Sequence, residues 1–362
     1  MNPLNEPPRG DEVELSLFGP GYGECVVVHL GDNQWAIIDS CLFPGSKTPA
    51  PLSYLQELKV NPSSAVKLVI ATHWHDDHIR GFAQVASECQ SAHLVLSEAI
   101  KTQEFMRLAA AYRTGISTTS SGLDEIQQTI KIIQTRRNAK WALADRMLLQ
   151  EKSASSCQGL KVFSLSPSDD AAYRAKELFR DLFPQSRKPK RAVVAPRENE
   201  ASVVIWMSVG ATHLLLGADL EEFSDPKRGW QAVLGCSLLQ GEKASAFKIP
   251  HHGSPTAHHV PVWKELLEPN PLGVISPFSR GAVSLPSKDD IARIKGLTNR
   301  LYISSWGHSG KFAHGSRVVE KAVKEATKQF FPLVGRFGQV RIRRRIDEAD
   351  WSIRLFGAAN QL

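Results

Sequence analysis

The chain has 362 residues, 42% of them hydrophobic, enough to bury the core of one large α/β domain carrying insertions. Its 44 Lys and Arg against 37 Asp and Glu leave a net charge of +7, a weak pull towards polyanions that decides nothing alone. Five scattered cysteines with no C-x-x-C pair exclude a disulfide framework and a structural zinc knuckle, and no run of about 18 apolar residues occurs; a soluble, cytoplasmic protein with no membrane partner is expected.

The early chain alternates short strands with turns. Residues 13–18 have period-two patterning, Gly19-Pro20-Gly21-Tyr22-Gly23 forces a turn, and 25–30 continue as a strand. After a hairpin turn at Gly31-Asp32-Asn33, the strand from Trp35 ends on Asp39. A carboxylate at the end of a buried strand costs free energy unless it is hydrogen-bonded or beside a cation. Asp39 is therefore expected either to orient a metal-binding histidine or loop amide, or to cap the loop from Ser40 to Thr48. Pro51 opens a short helix over 51–60. The apolar run Leu68 to Ala71 then reads as a buried strand, ending in a loop with His73, His75, Asp76, Asp77 and His78 within six residues. Imidazoles and carboxylates are the ligands that divalent metals such as zinc prefer, and a strand end followed by a tight loop lets His73, His75, Asp77 and His78 converge.

Beyond Gly81 a helix over 82–89 and a strand over 92–96 are expected, with His93 an ordinary strand residue. Residues 98–150 read as a helical insertion: Leu123, Ile126, Ile130 and Ile133 recur at helix spacing, and Leu143, Met147 and Leu148 continue the pattern. Its Lys131, Arg136, Arg137, Lys140 and Arg146 either line an anionic substrate path or form a solvated face. Residues 159–167 return to strand, and Ser168-Asp169-Asp170 caps a helix running to Phe183. The loop 184–191 carries Arg187, Lys188, Lys190 and Arg191 among prolines, as a phosphate contact or a plain surface segment.

Asn199 to Ser202 lead into a strand, and the run from His213 ends a further strand on Asp219. A carboxylate at the same sheet edge as the histidines can bridge two cations about 3.5–4 Å apart. Another apolar strand delivers His251-His252-Gly253-Ser254. Adjacent side chains point apart, so His251 is expected to be a ligand and His252 to contact substrate, with Gly253 letting the backbone approach a ligand closely. His258 and His259 read as exposed loop residues. Residues 300–362 read as an extension: a strand from Leu301, a helix over 316–330, and a strand over 338–346 that pairs with 351–356. Arg341, Arg343, Arg344 and Arg345 on that strand bind phosphate or form a solvated face.

Together these spaced motifs resemble the metallo-β-lactamase superfamily. Within it they resemble the C-terminal metallo-β-lactamase-like domain of the competence protein ComEC family and its soluble stand-alone relatives. That branch's Gly-Gln-Gly-Asp turn stands here as Gly21-Tyr22-Gly23-Glu24, its Asp-x-Gly strand end as Asp39-Ser40-Cys41, and its H-x-H-x-D-H loop as His73 to His78. Its Asn-x-x-Ser entry, Gly-Asp strand end and His-His-Gly-Ser loop stand as Asn199 to Ser202, Gly217-Ala218-Asp219 and His251 to Ser254. The superfamily's usual third-motif histidine has no counterpart. The late Gly-His-Pro is replaced by Ser284-Leu285-Pro286, and His308 is the residue that could take over its role.

The resemblance implies a four-layer αββα sandwich of the metallo-β-lactamase type, an α/β fold with a helical insertion and a C-terminal α/β extension. The hydrolase domain is expected over 12–299, with the insertion at about 98–150 and the extension 300–362 packed on the same domain. It implies two zinc ions, with manganese second: His73 and His75 on one, Asp77, His78 and His251 on the other, and Asp219 between them. Asp77 and His252 are expected in catalysis, and Asp39, Asn199, Ser202, Gly253, Ser254 and His308 in support or substrate contact. The expected function is metal-dependent hydrolysis by a metal-bound hydroxide, acting on a phosphodiester of nucleic acid or a nucleotide. Open beside it stand hydrolysis of a carboxyl ester, lactone or thioester, and an inactive metal-binding recognition module.

Overall fold

Runs of Val, Ile and Leu broken by Gly, Asp and Asn turns set the strands, and their alternation decides which way each side chain faces. The computed structural model describes residues 6–19, 23–43, 45–101, 105, 121–151, 159–181, 198–239, 241–280, 283–306 and 337–362. The chain builds β1 (Glu12–Gly19), β2 (Cys25–His29), β3 (Trp35–Ile38), α1 (Ala50–Glu57), α2 (Pro62–Ala65), β4 (Val66–Ile70), α3 (Asp76–Ile79), α4 (Phe82–Glu88), β5 (His93–Ser97), α5 (Ser121–Arg136) and β6 (Ala139–Ala142). It continues through β7 (Arg146–Glu151), β8 (Leu160–Ser164), α6 (Asp169–Asp181), β9 (Ile205–Val209), β10 (Thr212–Leu216), α7 (Gly229–Leu234), β11 (Ala244–Lys248), α8 (Val260–Glu265) and β12 (Leu267–Ile275). A hairpin of β13 (Phe278–Arg280) and β14 (Val283–Leu285) follows, then α9 (Lys288–Lys295), β15 (Leu301–Ile303), β16 (Gly338–Arg345), β17 (Ser352–Gly357) and β18 (Asn360–Gln361).

Two eight-stranded sheets result, in the orders β17-β16-β1-β2-β3-β4-β5-β6 and β18-β15-β12-β11-β10-β9-β8-β7. Three apolar cores make the layers. Leu68 and Ile70 of β4 meet Leu214 and Leu216 of β10 between the sheets. Val69, one residue out of phase, packs outward with Leu55 of α1, Val85 of α4 and Ile126 and Ile130 of α5. On the far face Leu215 and Phe247 pack with Trp230 of α7, Trp263 of α8 and Ile294 of α9. Each such side chain contributes about 1.5–3 kcal/mol by leaving water, so both faces of both sheets stabilise the fold. This is a mixed α/β sandwich with helices outside two face-to-face sheets, as the motif set implies.

The parallel pairs β3–β4, β10–β11 and β11–β12 are in register at Ile38↔Ile70, Leu216↔Lys248 and Lys248↔Val274, so their carboxyl ends lie along one edge. Asp39, the loop from Thr72, Asp219 and His251-His252 all leave from those ends.

The helical reading of 98–150 is corrected in its last part. Of the described residues in the 98–150 region, 98–100 form a 3-10 turn and 121–136 a helix, while 139–142 and 146–151 are strands; residues 102–104 and 106–120 lie outside the described residues. Met147 and Leu148 stand on β7, an antiparallel partner of β8, and Leu143 lies in the turn before it. Arg137 adopts φ 55°, which ends the helix, and Ala139–Ala142 then pair in parallel with β5. Arg136, expected on a substrate path or solvated face, donates to the carbonyls of Ala86, Ser87 and Cys89 at the end of α4. The segment expected as an extension packed on the same domain contributes strands to both sheets, because β16 pairs with β1 and β15 with β12. Two of its arginines face protein: Arg341 is buried and stacks on Phe356 at 4.4 Å, and Arg343 donates to Glu14 at 2.7 Å, whereas Arg345 is half-exposed beside Asp11 and Asp347. No helix among the described residues is long and apolar enough to cross a membrane.

A candidate metal centre

The loop after β4 is shaped by Asp39. In the left-handed region at φ 61°, Asp39 turns its carboxylate back under that loop: Oδ1 accepts from the Thr72 amide, and Oδ2 from the Thr72 hydroxyl and from His78 Nδ1, each at 2.8 Å. Thr72 Oγ1 in turn accepts from His73 Nδ1 at 2.9 Å, so one carboxylate orients two imidazoles, directly and through a hydroxyl. His78 and Asp77 project from the one turn of α3.

With Nδ1 occupied, His73 and His78 present Nε2 to the sheet edge. There Asp219 Oδ2 lies 3.9 Å from His73 Nε2, 3.4 Å from His78 Nε2 and 3.6 Å from His252 Nε2. Asp77 Oδ2 lies 3.4 Å from His252 Nε2 and 3.9 Å from His78 Nε2, and His75 Nδ1 is 3.1 Å from His73 Nε2. Among the described residues, three groups of His and acidic residues have ligand atoms within 4.8 Å of one another: His73, His75 and Asp219; Asp77, His78 and His252; and Glu24, His78 and Asp219.

Of the two adjacent histidines, it is His252 and not His251 whose ring lies among these atoms. His252 carries the buried ring, 3% exposed, and donates Nδ1 to the Ser276 carbonyl at 3.0 Å, leaving Nε2 in the cluster. His251 is 20% exposed, belongs to none of the three groups, and sits instead with Glu221 and Thr256 at 3.2 Å and Asn199 at 3.3 Å. Both residues have positive φ, 47° and 54°, and this double turn decides which ring enters the cluster. Gly253 has φ 79°, and a Cβ there would meet Ile294 and Pro286 at 3.2 and 3.3 Å, so the turn leaves no room for a side chain. Ser254 caps the following turn by accepting from the Thr256 amide at 3.3 Å. Asn199 lies 3.3 Å from His251 Nε2, and the Ser202 hydroxyl is buried with no hydrogen-bond partner among the described residues. His258 and His259 are half-buried, and His308 lies outside the described residues.

Some contributors carry a weaker signal in the sequence. Lys248, a lysine inside the apolar run of β11, is buried and ion-paired with Glu24. Arg293 of α9 donates to the Gly253 carbonyl at 2.7 Å. The helix α5 braces the metal loop: Asp76 Oδ1 accepts from the Gly122 amide at 2.8 Å, and Glu125 accepts from the Gly81 and Ala83 amides at 2.9 Å. A Cβ on Gly122 would run into the Trp74 carbonyl, between His73 and His75. Gly122→Ala is therefore expected to cost about 1–3 kcal/mol in thermal melts and to lower metal affinity as well.

Electrostatics favour cations here. Burial opposes charge on His78, but Asp219, Glu24 and Asp77 outweigh it and hold its pKa well above 6.5; His252 is raised likewise by Asp219 and Asp77. Burial, with His78 and His75 beside it, holds His73 well below its ordinary value. Asp219 is depressed despite burial, by His78, His252 and Lys248. The donor set fits divalent ions: imidazole nitrogens and carboxylate oxygens, with His78 Nε2 buried and, among the described residues, lacking a hydrogen-bond partner. Without metal, the raised histidines contribute stability that is complete below pH 6.5 and is lost as pH rises through their folded values. Chelated protein is thus expected to lose melting temperature towards alkaline pH, and metal-loaded protein to be spared. Metal uptake should also release protons, which calorimetry in buffers of different ionisation enthalpy measures.

Residues 18–102 match the family model described as the metallo-beta-lactamase superfamily. No curated protein matches the chain. Among solved structures, the metallo-beta-lactamase fold protein YhfI from Bacillus subtilis matches at 13% identity and TM-score 0.31 over 66% of this chain and 70% of that one. AidC, a dizinc quorum-quenching lactonase in complex with a product, matches at 14% and 0.30 over 54% and 55%. Zn(2+)-bound PqqB from Methylobacterium extorquens matches at 10% and 0.29 over 62% and 58%. The last two matches span little more than half of the solved chains.

Proposed function

We propose that this chain, whose matched segment and two-sheet fold support membership of the metallo-beta-lactamase superfamily, is a metal-dependent hydrolase acting on a phosphodiester of nucleic acid or a nucleotide. One observation carries the hydrolase reading: Nε2 atoms of His73, His78 and His252 gather around Asp219 Oδ2 while each ring's Nδ1 is held elsewhere. On this reading His73, His75 and Asp219 would hold one divalent ion and Asp77, His78 and His252, beside Asp219, the other; zinc suits the set best and manganese next.

When bound, such a pair supplies positive charge that polarises an electrophile and makes water acidic enough to ionise near neutral pH. The chain's own residues prepare for it. Asp39 and Thr72 fix the tautomers of His78 and His73, and the Ser276 carbonyl fixes that of His252. The burial of His73, His78, His252 and Asp219 keeps bulk water from competing for their ligand atoms.

The choice of a phosphodiester rests on the sequence: the excess of 44 basic over 37 acidic residues, the cluster at Lys188, Lys190 and Arg191, and the resemblance to the competence branch. Arg136, Arg341 and Arg343 add nothing to it, being engaged within the fold. Purified protein, chelated and then reloaded with zinc or manganese, is assayed against single-stranded and duplex DNA, RNA, cyclic nucleotides, a generic phosphodiester, a lactone and a thioester. Phosphodiester turnover that vanishes on chelation and returns with metal is expected. Turnover of the carboxyl substrates alone makes the protein an esterase-type hydrolase, and metal binding without turnover makes it a recognition module.

A further inference from the structure

Behind the cluster, Lys248 at the end of β11 and Glu24 before β2 are each 2% exposed and form an ion pair. Lys248 Nζ also donates to the Ala218 carbonyl at 3.0 Å and lies 3.8 Å from Asp219 Oδ1. Glu24 Oε1 is 3.7 Å from His78 Nδ1, and its Oε2 is 3.6 Å from His252 Nδ1. One buried pair therefore touches Asp219, His78 and His252 from the side away from their Nε2 and Oδ2 atoms.

Three features go beyond packing. Asp219 turns Oδ2 to the histidines and leaves Oδ1 towards the ammonium, so a fixed charge selects which oxygen the cluster shares. Ala218, just before Asp219, has φ 46°, and its carbonyl is held from two directions, by Lys248 Nζ and by the His251 amide at 3.0 Å. Lys248 thus ties the turn that presents Asp219 to the turn that presents His252. Finally, the group of Glu24, His78 and Asp219 has the spacing of the other two, yet Lys248 stands against two of its three members.

We propose that Lys248, paired with Glu24, is a positioning residue that serves as the resident cation of this third group. It orients Asp219 so that Oδ2 is shared by the other two groups, and it confines divalent binding to them. This rests on the metal-centre reading above.

The experiment compares the parent, the double variant E24Q/K248M and the conservative variant Glu24→Asp. Each is measured for zinc stoichiometry and affinity by chelator competition, for the visible spectrum of its Co(II) form, and for melting temperature without metal. The double variant removes both charges while keeping shape, a change that buried ion pairs often tolerate, so it is expected to fold. Its weaker zinc equivalent is expected to bind about 10–100-fold less tightly, with an altered Co(II) spectrum, and Glu24→Asp to fall between it and the parent. Native affinity for both equivalents with a native spectrum in the double variant overturns the proposal and leaves a packed ion pair. Should that variant not fold, native affinity in Glu24→Asp overturns it equally. A parent that binds no divalent ion overturns the metal-centre reading, and this proposal with it.

Discussion

Asp219→Asn is expected to lower zinc affinity by at least about a hundredfold and to reduce metal-dependent hydrolysis to background, with the circular dichroism spectrum of the fold retained. The reason lies in what one oxygen does. Asp219 Oδ2 is the atom within 3.4–3.9 Å of Nε2 on His73, His78 and His252, so both proposed ion positions depend on it. Asparagine keeps the shape and the Lys248-facing side but removes the charge that holds the cluster's cations together. The pKa values of His78 and His252 should fall in the same variant, because Asp219 is the largest influence raising each of them. Two-dimensional NMR of the imidazole resonances in metal-free protein reads that shift. Full zinc content with undiminished hydrolysis in Asp219→Asn removes the residue from the site.

Histidine 252 and its neighbour are expected to separate cleanly. His252→Asn should cost one of two zinc equivalents and nearly all activity, since its Nε2 is the atom that faces both Asp77 and Asp219. His251→Asn should keep both equivalents, because His251 contacts Glu221, Thr256 and Asn199 and lies outside every ligand group. Asparagine suits both tests because both positions have positive φ, which it tolerates better than most residues, so backbone strain does not confuse the comparison. Elemental analysis of the two variants decides between them. Loss of metal from His251→Asn with retention in His252→Asn would return the ligand role to His251.

The loop from His73 to His78 and the carboxylates at strand ends were legible in the residues themselves, while the layered sandwich came with the family resemblance. The first two are local signals: an apolar run of strand length followed by ligands at fixed spacing carries its own geometry, and period-two alternation says that a strand has two differently used faces. The sequence did not determine which of two adjacent imidazoles enters the cluster. That depended on backbone φ at His251 and His252, set by contacts to Ala218, Ser276 and Arg293 from three other segments. It could not show that Arg341 is buried, because alternation marks a face without saying that Tyr54 of α1 and Phe356 of β17 cover it. Nor could it keep Met147 and Leu148 out of a helix, because a short apolar run fits either period and pairing with β8 made it a strand. Lys248 shows the division most plainly. A lysine in an apolar strand is visible in the sequence, but its purpose depends on Glu24 and Asp219, which lie 224 residues before it and 29 before it and meet it only when the two sheets close on one edge.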